Sequence, residues 1–90
     1  MKSYLIVYQL SLPESTYANL ITYLKTAPKW ARPCNSTWFI KTTLEAAKVR
    51  DGIKERMNQN DKVLVTEVKI THWGTFNISK EVTEWMKTNL

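Results

Sequence analysis

Residues 2–10 have the sequence KSYLIVYQL, and this opening stretch decides the fold class. Its aromatic and β-branched side chains predict a strand. Large apolar residues stand at both odd and even positions, so the alternation of a half-exposed strand is absent. A strand that is apolar on both faces is typical of the middle of a sheet that is covered on both sides. We therefore expect Lys2–Leu10 to form a central strand.

The next part of the chain predicts a helix and a hairpin. Apolar residues recur at helical spacing from Tyr17 to Leu24, and Pro28 ends this helix. Its start is expected near Ser11 or Leu12, just before Pro13. Residues 29–33 and 37–41 predict the two arms of the hairpin, joined by a turn at 34–36.

A second helix and a fourth strand follow. Thr42 and Glu45 have the spacing of a capping box at the start of the helix. Gly52 lies inside this helix, where glycine costs about 1 kcal/mol relative to alanine. Residues 62–68 are rich in β-branched side chains and predict a strand.

The last part of the chain predicts an extension of this core. Residues 69–78 predict either a short extra strand or a packed loop, and Ser79 predicts the cap of a last helix. One face of that helix carries Val82, Trp85, Met86 and Leu90. The predicted order is that of the split βαββαβ arrangement, so the fold class is α+β, ferredoxin-like, with a C-terminal helical extension. We expect one domain over residues 1–90, with its core at about 1–68 and the extension at 69–90.

A homodimer is predicted from the two apolar faces of the first strand. In the split βαββαβ arrangement both helices cover one face of the sheet, and the other face is open. An exposed apolar sheet face marks a site of association. A second copy of the chain is the simplest cover, and the C-terminal helix is a partial alternative.

Composition excludes several classes of protein. The chain has 90 residues and no apolar run of the roughly 18 residues that a membrane span needs. Its first residues lack the cleavage pattern of a signal peptide, and Cys34 is the only cysteine, which excludes an intramolecular disulfide. We therefore expect a cytoplasmic protein with no membrane partner.

Positive charge is concentrated in one part of the chain. The net charge is +5, and no Asp or Glu occurs between Ser15 and Leu44. That stretch contains the residues that we predict to bind nucleic acid, with the lysines and arginine on phosphates and the tryptophan as a stacking surface: Lys25, Lys29, Trp30, Arg32 and Lys41. The alternative is an ordinary solvated basic edge, where lysines discourage sheet aggregation.

Other polar and aromatic residues have two interpretations each. The hydroxyls of Ser36 and Thr37 stand where they could contact a phosphate, or they bond to the local backbone at the turn. Trp38, Trp73 and Trp85 follow strand or helix faces, which favours packing over base stacking.

Three short motifs resemble those of the small CRISPR-associated adaptation subunit, Cas-two. They are Tyr8-Gln9-Leu10, the segment 36–42 (STWFIKT) and the segment 60–65 (NDKVLV). The likeness is greatest to a divergent branch of short Cas-two-like proteins labelled the "SinR family", and the virulence-associated protein D toxins resemble the same fold. It covers the chain to about Val68.

This resemblance implies a ferredoxin-like homodimer that binds DNA as a structural part of a larger complex. Some members are metal-dependent nucleases whose ligand is an Asp at the end of the first strand. That position is Gln9 in this chain. Gln is neutral and a poor ligand for Mg²⁺, which favours carboxylates.

We therefore expect a homodimeric protein that binds DNA or RNA, or that serves as a scaffold for a protein partner, without nuclease activity. One alternative is a metal-dependent, toxin-like endoribonuclease, which alone would need Mg²⁺ or Mn²⁺. The other alternative is a structural protein-interaction dimer.

Overall fold

The computed structural model describes residues 1–69 and 72–90, and it confirms the predicted mixed α+β class. The chain forms β1 (Lys2–Gln9), α1 (Ala18–Lys25), β2 (Lys29–Cys34), β3 (Thr37–Thr42), α2 (Ala46–Lys54), β4 (Lys62–Glu67) and α3 (Lys80–Asn89). The strands make one antiparallel sheet in the order β2-β3-β1-β4. Within the described ranges, no helix has the length and apolar character that a membrane crossing requires.

Strand β1 lies inside the sheet, as its two apolar faces predict. It pairs with β3 on one side and with β4 on the other, so that Ile6 lies between Trp38 and Val65. Strands β2 and β4 are the two edges. The pairing of β2 with β3 is irregular between Ala31 and Cys34. Pro33 lies in that interval, and proline lacks the N–H that a regular ladder needs.

Helices α1 and α2 cover the first face of the sheet. The core on this face is built from buried side chains of β1, β3, both helices and the 3₁₀ turn that precedes α1: Tyr4, Ile6, Tyr8, Tyr17, Leu20, Leu24, Trp38, Ile40, Val49 and Ile53. Trp38 is the largest of these and is completely buried, which confirms its prediction as a packing residue.

Gly52 explains how closely the two helices approach each other. A methyl group at this position would lie 2.1 Å from the Tyr23 hydroxyl oxygen and 2.4 Å from Cζ of the same ring. Arg56 contacts both of these residues. Its guanidinium lies 4.2 Å from the Tyr23 ring centroid and donates to the Gly52 carbonyl oxygen at 2.7 Å. The helix therefore accepts a residue of low helix propensity because Tyr23 needs the space.

Helix α3 covers part of the second face. Val82 and Met86 pack on Ala31 and Phe39, and Trp85 stacks on Phe39 with ring centroids 6.1 Å apart. The C-terminal end of α3 lies beside β1, because the Ser3 hydroxyl donates to the Asn89 carbonyl oxygen at 3.3 Å. The extension is thus helical, as predicted, and it packs on its own chain.

One row of residues on the second face is left open. Cys34 pairs with Thr37, Thr37 with Val7, and Val7 with Leu64, so this row crosses all four strands. We call these four residues the uncovered row. Val7 is 38% exposed and Leu64 is 59% exposed, although both are apolar.

Two local predictions are wrong. The capping box is absent, since α2 begins at Ala46 with Glu45 at its cap and no side-chain cap bond. Thr42 instead lies in β3 and its hydroxyl accepts from the Leu44 amide at 3.3 Å. A 3₁₀ turn at Glu14–Tyr17 precedes α1, so the first α-helix begins later than predicted.

In the described residues before α3, the predicted strand is absent and the predicted packed loop is packed only in part. No strand forms at Lys69 or over residues 72–79, and Ile70 lies outside the described residues. Ile78 packs beside α3, but Trp73 is half-exposed and Phe76 is 86% exposed. Trp73 is therefore not the packing residue that its position in the sequence suggests.

Candidate nucleic-acid interface

The sheet divides the predicted nucleic-acid-binding residues between its two faces. Trp30 pairs with Ile40, a core residue beneath α1 and α2, whereas Lys29 pairs with Lys41. Successive residues of a strand point to opposite faces. Trp30 and Arg32 therefore belong to the face that carries α1, and Lys29 and Lys41 belong to the face that carries α3.

A column of cations and indoles runs along the β2 edge of the first face. The Lys25 ammonium lies 5.6 Å from the Trp30 ring centroid. The rings of Trp30 and Trp38 are tilted by 50° with centroids 5.3 Å apart, and the Arg32 guanidinium lies 4.8 Å from the Trp38 ring. Trp30 remains 37% exposed at the rim, whereas Trp38 is buried. The structure thus brings three of the five predicted residues together.

The positive charge of Arg32 is already engaged. Its guanidinium forms an ion pair with Glu14 and donates to the Asn35 carbonyl oxygen through Nη2 at 2.6 Å and Nε at 3.1 Å. These contacts fix the turn between β2 and β3 against the segment that precedes α1. A structural role for Arg32 is visible in these contacts, and its role in phosphate binding stays a prediction.

Lys29 and Lys41 lie opposite each other on adjacent strands. Like charges in this position repel each other and destabilise the pairing. Neither lysine forms an ion pair within residues 1–69 and 72–90. Lys41 also pairs with Ser3, which contacts the last turn of α3, and the C-terminal end of a helix attracts positive charge. The structure thus shows a stabilising contact only for Lys41, at the C-terminal end of α3, and the binding of phosphates by the two lysines stays a prediction.

Gln9 lies at the end of β1 in a hollow of about 280 Å³ with a mixed lining. Its polar side is formed by Gln9, Glu14, Asn35 and Ser36, and its apolar side by Tyr8, Leu10 and Leu12. The residues in this hollow do not fit the carboxylate metal site that the resemblance implies. Gln9 is neutral, and the carboxylate of Glu14 is paired with Arg32. Across the described residues, no three His, Cys, Asp or Glu side chains group closely enough to hold a metal ion.

Asp61 organises the same end of the molecule. It accepts hydrogen bonds from the amide and hydroxyl of Ser11 at 2.8 and 2.7 Å, from the Tyr17 hydroxyl at 2.8 Å and from the Asn58 amide at 2.8 Å. Partial desolvation raises the pKa of Asp61, but the hydrogen bonds from Asn58, Ser11 and Tyr17 outweigh it and lower the pKa to about 2. The carboxylate therefore has a structural role in the turn after α2.

A groove between β2 and α3 contains residues that the sequence does not connect. It has a volume of about 290 Å³ and is lined by Trp30, Ala31, Arg32, Ser79, Glu81, Val82 and Trp85. Trp85 is half-buried, and it lines the groove in addition to stacking on Phe39. The sequence signal for this site is the amphipathic pattern of α3, which identifies Trp85 as inward-facing but gives no position on the sheet.

Comparison with models of known protein families gives no match, and comparison with curated protein sequences gives no match.

Proposed function

We propose that this chain is one subunit of a homodimer that binds nucleic acid without cleaving it, and that its first four strands and two helices have a ferredoxin-like arrangement, as in a Cas-two-like protein. The order of helices and strands and the sheet order β2-β3-β1-β4 support the fold part of the proposal.

The observation that carries the nucleic-acid function is the pair formed by Lys25 and Trp30 at the β2 edge, with Lys29 on the opposite face of the same edge strand. An exposed indole at the free edge of β2 has an ammonium group over its ring, and neither Lys25 nor Lys29 has a carboxylate partner in the described ranges. An aromatic surface beside unpaired cations is the combination that binds a nucleic-acid strand, since bases stack on the ring and phosphates attract the cations. Recognition of this kind tolerates many base sequences.

A salt titration tests this function. Labelled RNA and DNA oligonucleotides, single- and double-stranded, are titrated with the protein at several salt concentrations, with Mg²⁺ or with EDTA. Each of Lys25→Gln and Lys29→Gln is expected to reduce the slope of log K against log[salt] by roughly 0.7 for a single strand. The matched control is Lys48→Gln, because Lys48 is an exposed lysine of α2 without an ion pair in the described ranges.

Three outcomes would contradict the proposal. The first is an equal loss of slope in the control variant, which would show that the protein presents only a diffuse positive field. The second is no binding by the wild-type protein, and the third is cleavage that requires Mg²⁺.

The uncovered row supports the homodimer. Apolar Val7 and Leu64 lie exposed on a sheet face whose other part is covered by α3. Exposed apolar patches of this kind mark association sites, and a symmetric pair would bury the same patch twice.

Sedimentation at micromolar concentration tests the homodimer. We expect twice the 10.5 kDa mass of the chain and a return to 10.5 kDa for Leu64→Lys. Phe76→Lys is the matched control, because Phe76 is more exposed but lies outside the row. Cys34 belongs to the row and supplies a second readout, since maleimide labelling of its thiol should slow as the protein concentration rises. A wild-type species of 10.5 kDa at these concentrations would contradict the dimer.

The uncovered row also favours a second function, a protein-interaction dimer without a nucleic-acid role. A stable dimer that fails to bind any oligonucleotide in the salt titration would support this second function over the first.

A further inference from the structure

The groove between β2 and α3 has the composition of a site for a single unstacked base. Its apolar wall comes from Trp85 and Val82, and Trp30 belongs to its rim on the β2 side. Its volume of about 290 Å³ lies at the lower end of the range for small-ligand sites, which suits one planar ring system. A duplex keeps its bases stacked and paired, so this wall is accessible only to unpaired bases.

The charges around the groove agree with a nucleic-acid strand as its occupant. Lys25 lies 5.6 Å from the ring of Trp30, which lines the groove, Lys29 precedes Trp30 in β2, and Lys80 follows Ser79 at the start of α3. None of these three lysines forms an ion pair within the described ranges. A strand whose base enters the groove would therefore have lysines near its phosphates on both sides.

Glu81 is the one carboxylate that lines the groove, and it has no ion pair within residues 1–69 and 72–90. A carboxylate repels phosphates, but it accepts hydrogen bonds from the amino groups of cytosine, adenine and guanine. Uracil and thymine have no amino group, and their one base donor, N3–H, lies between two carbonyl oxygens that repel a carboxylate. Glu81 thus gives the groove a chemical reason to prefer amino-bearing bases.

From these observations we propose that the groove lined by Trp30, Trp85 and Glu81 holds one base of a single-stranded nucleic acid and selects bases that carry an amino group. This site deepens the proposed nucleic-acid function and rests on it. It assigns to Trp85 a binding role in addition to its packing on Phe39.

The test compares three tryptophan variants on fluorescein-labelled single strands of cytidine, adenosine or uridine, and on a hairpin duplex. Trp30→Leu and Trp85→Leu should each weaken binding of the cytidine strand about ten-fold or more, since a stacked base contributes about 1–3 kcal/mol. Trp73→Leu is the matched control, because Trp73 is similarly exposed but lies outside the groove. Circular dichroism and the melting temperature of each variant establish that it is folded. Quenching of tryptophan fluorescence by the cytidine strand should persist in the control and fall in the other two variants.

A fourth variant tests the selection. Glu81→Ala removes a repulsive charge, so it should bind all strands more tightly, while the ratio of cytidine to uridine affinity should fall to about one.

The outcomes separate the two proposals. No binding of any strand by the wild-type protein would overturn the nucleic-acid function and this site together. Salt-sensitive binding that both groove variants retain, or equal affinity of the wild-type protein for the duplex, would overturn this site and leave the broader function standing. If Trp85→Leu does not fold, Trp30→Leu and Glu81→Ala decide the question alone.

Discussion

Because Gly52 lies against Tyr23, the substitution Gly52→Ala should lower the stability of the wild-type protein but raise the stability of a Tyr23→Ala variant. In an exposed helix, Gly→Ala stabilises by about 1 kcal/mol. In this chain the new methyl group would lie 2.1 Å from the Tyr23 hydroxyl oxygen and 2.4 Å from Cζ, which is less than van der Waals contact. The substitution Gly52→Ala therefore forces the Tyr23 ring to move.

The size of the destabilisation follows from the contact that the displaced Tyr23 ring loses and from the overpacking that the new methyl group causes. Displacing Tyr23 breaks its contact with the Arg56 guanidinium, which lies 4.2 Å from the ring centroid. Such a cation–π contact contributes about 0.5–1 kcal/mol near the surface. Overpacking adds about 1–3 kcal/mol, and the helix propensity of alanine offsets about 1 kcal/mol of the total. We expect Gly52→Ala to lower the free energy of unfolding by about 0.5–3 kcal/mol. Each kcal/mol should lower the melting temperature by about 4–8 °C.

A double-mutant cycle measured by urea denaturation isolates the contact. In the background of Tyr23→Ala the clash is absent, so adding Gly52→Ala should raise stability by about 1 kcal/mol. The reasoning is refuted if Gly52→Ala stabilises the protein equally in both backgrounds, because Tyr23 would then move aside without loss.

Three further substitutions probe hydrogen bonds. The buried Trp38 indole N–H donates to the Tyr8 hydroxyl at 2.9 Å, and Tyr8→Phe removes this acceptor. The variant should be less stable by about 1–3 kcal/mol in urea denaturation, and an unchanged midpoint would contradict this. Asp61 has its pKa lowered from 3.8 to about 2, so its stabilisation is present above about pH 4 and is lost as the pH falls toward 2. Asp61→Asn should be less stable at neutral pH and lose less stability over that acidic interval, and parallel wild-type and variant pH profiles would count against the network. Asn89 has a buried Oδ1 without a hydrogen-bond donor in the described part of the chain, while its Nδ2 donates to the Trp85 carbonyl oxygen at 2.9 Å. Removing an unsatisfied buried acceptor gains more than one hydrogen bond loses, so Asn89→Leu should raise stability by up to about 1 kcal/mol in thermal denaturation, and a lower melting temperature would disprove it.

Sequence patterns predict the fold class because each pattern is local. The two apolar faces of residues 2–10 place β1 inside the sheet, and the structure has it there. The cost of Gly52 is also visible in the sequence. Its cause is not, since Tyr23 lies 29 positions away along the chain and the contact depends on how two helices pack. The Thr42 and Glu45 prediction is wrong for a related reason, because pairing of Thr42 with Lys2 extends β3 through the expected cap position.

The candidate site is less accessible to sequence reasoning than the fold. Lysines and Trp30 are adjacent in the sequence, but strand alternation sends Lys29 and Trp30 to different faces. Trp85 comes beside Trp30 only because α3 crosses the sheet toward β2. The direction of that crossing depends on the fit of Met86 and Val82 to the Phe39 side of the sheet, which no local pattern specifies.

Helix α3 is held by fewer and less deeply buried contacts than the rest of the molecule. The four buried residues of its core are 5–8% exposed, whereas most of the core beneath α1 and α2 is 0–1% exposed. Elements with little buried apolar contact open at a lower free energy than the whole domain. The amide protons of α3 should therefore exchange with solvent before those of β1 and β3. Each such opening would expose Ala31 and Phe39 beside the uncovered row, and a helix released in this way can dock on the same residues of a neighbouring copy.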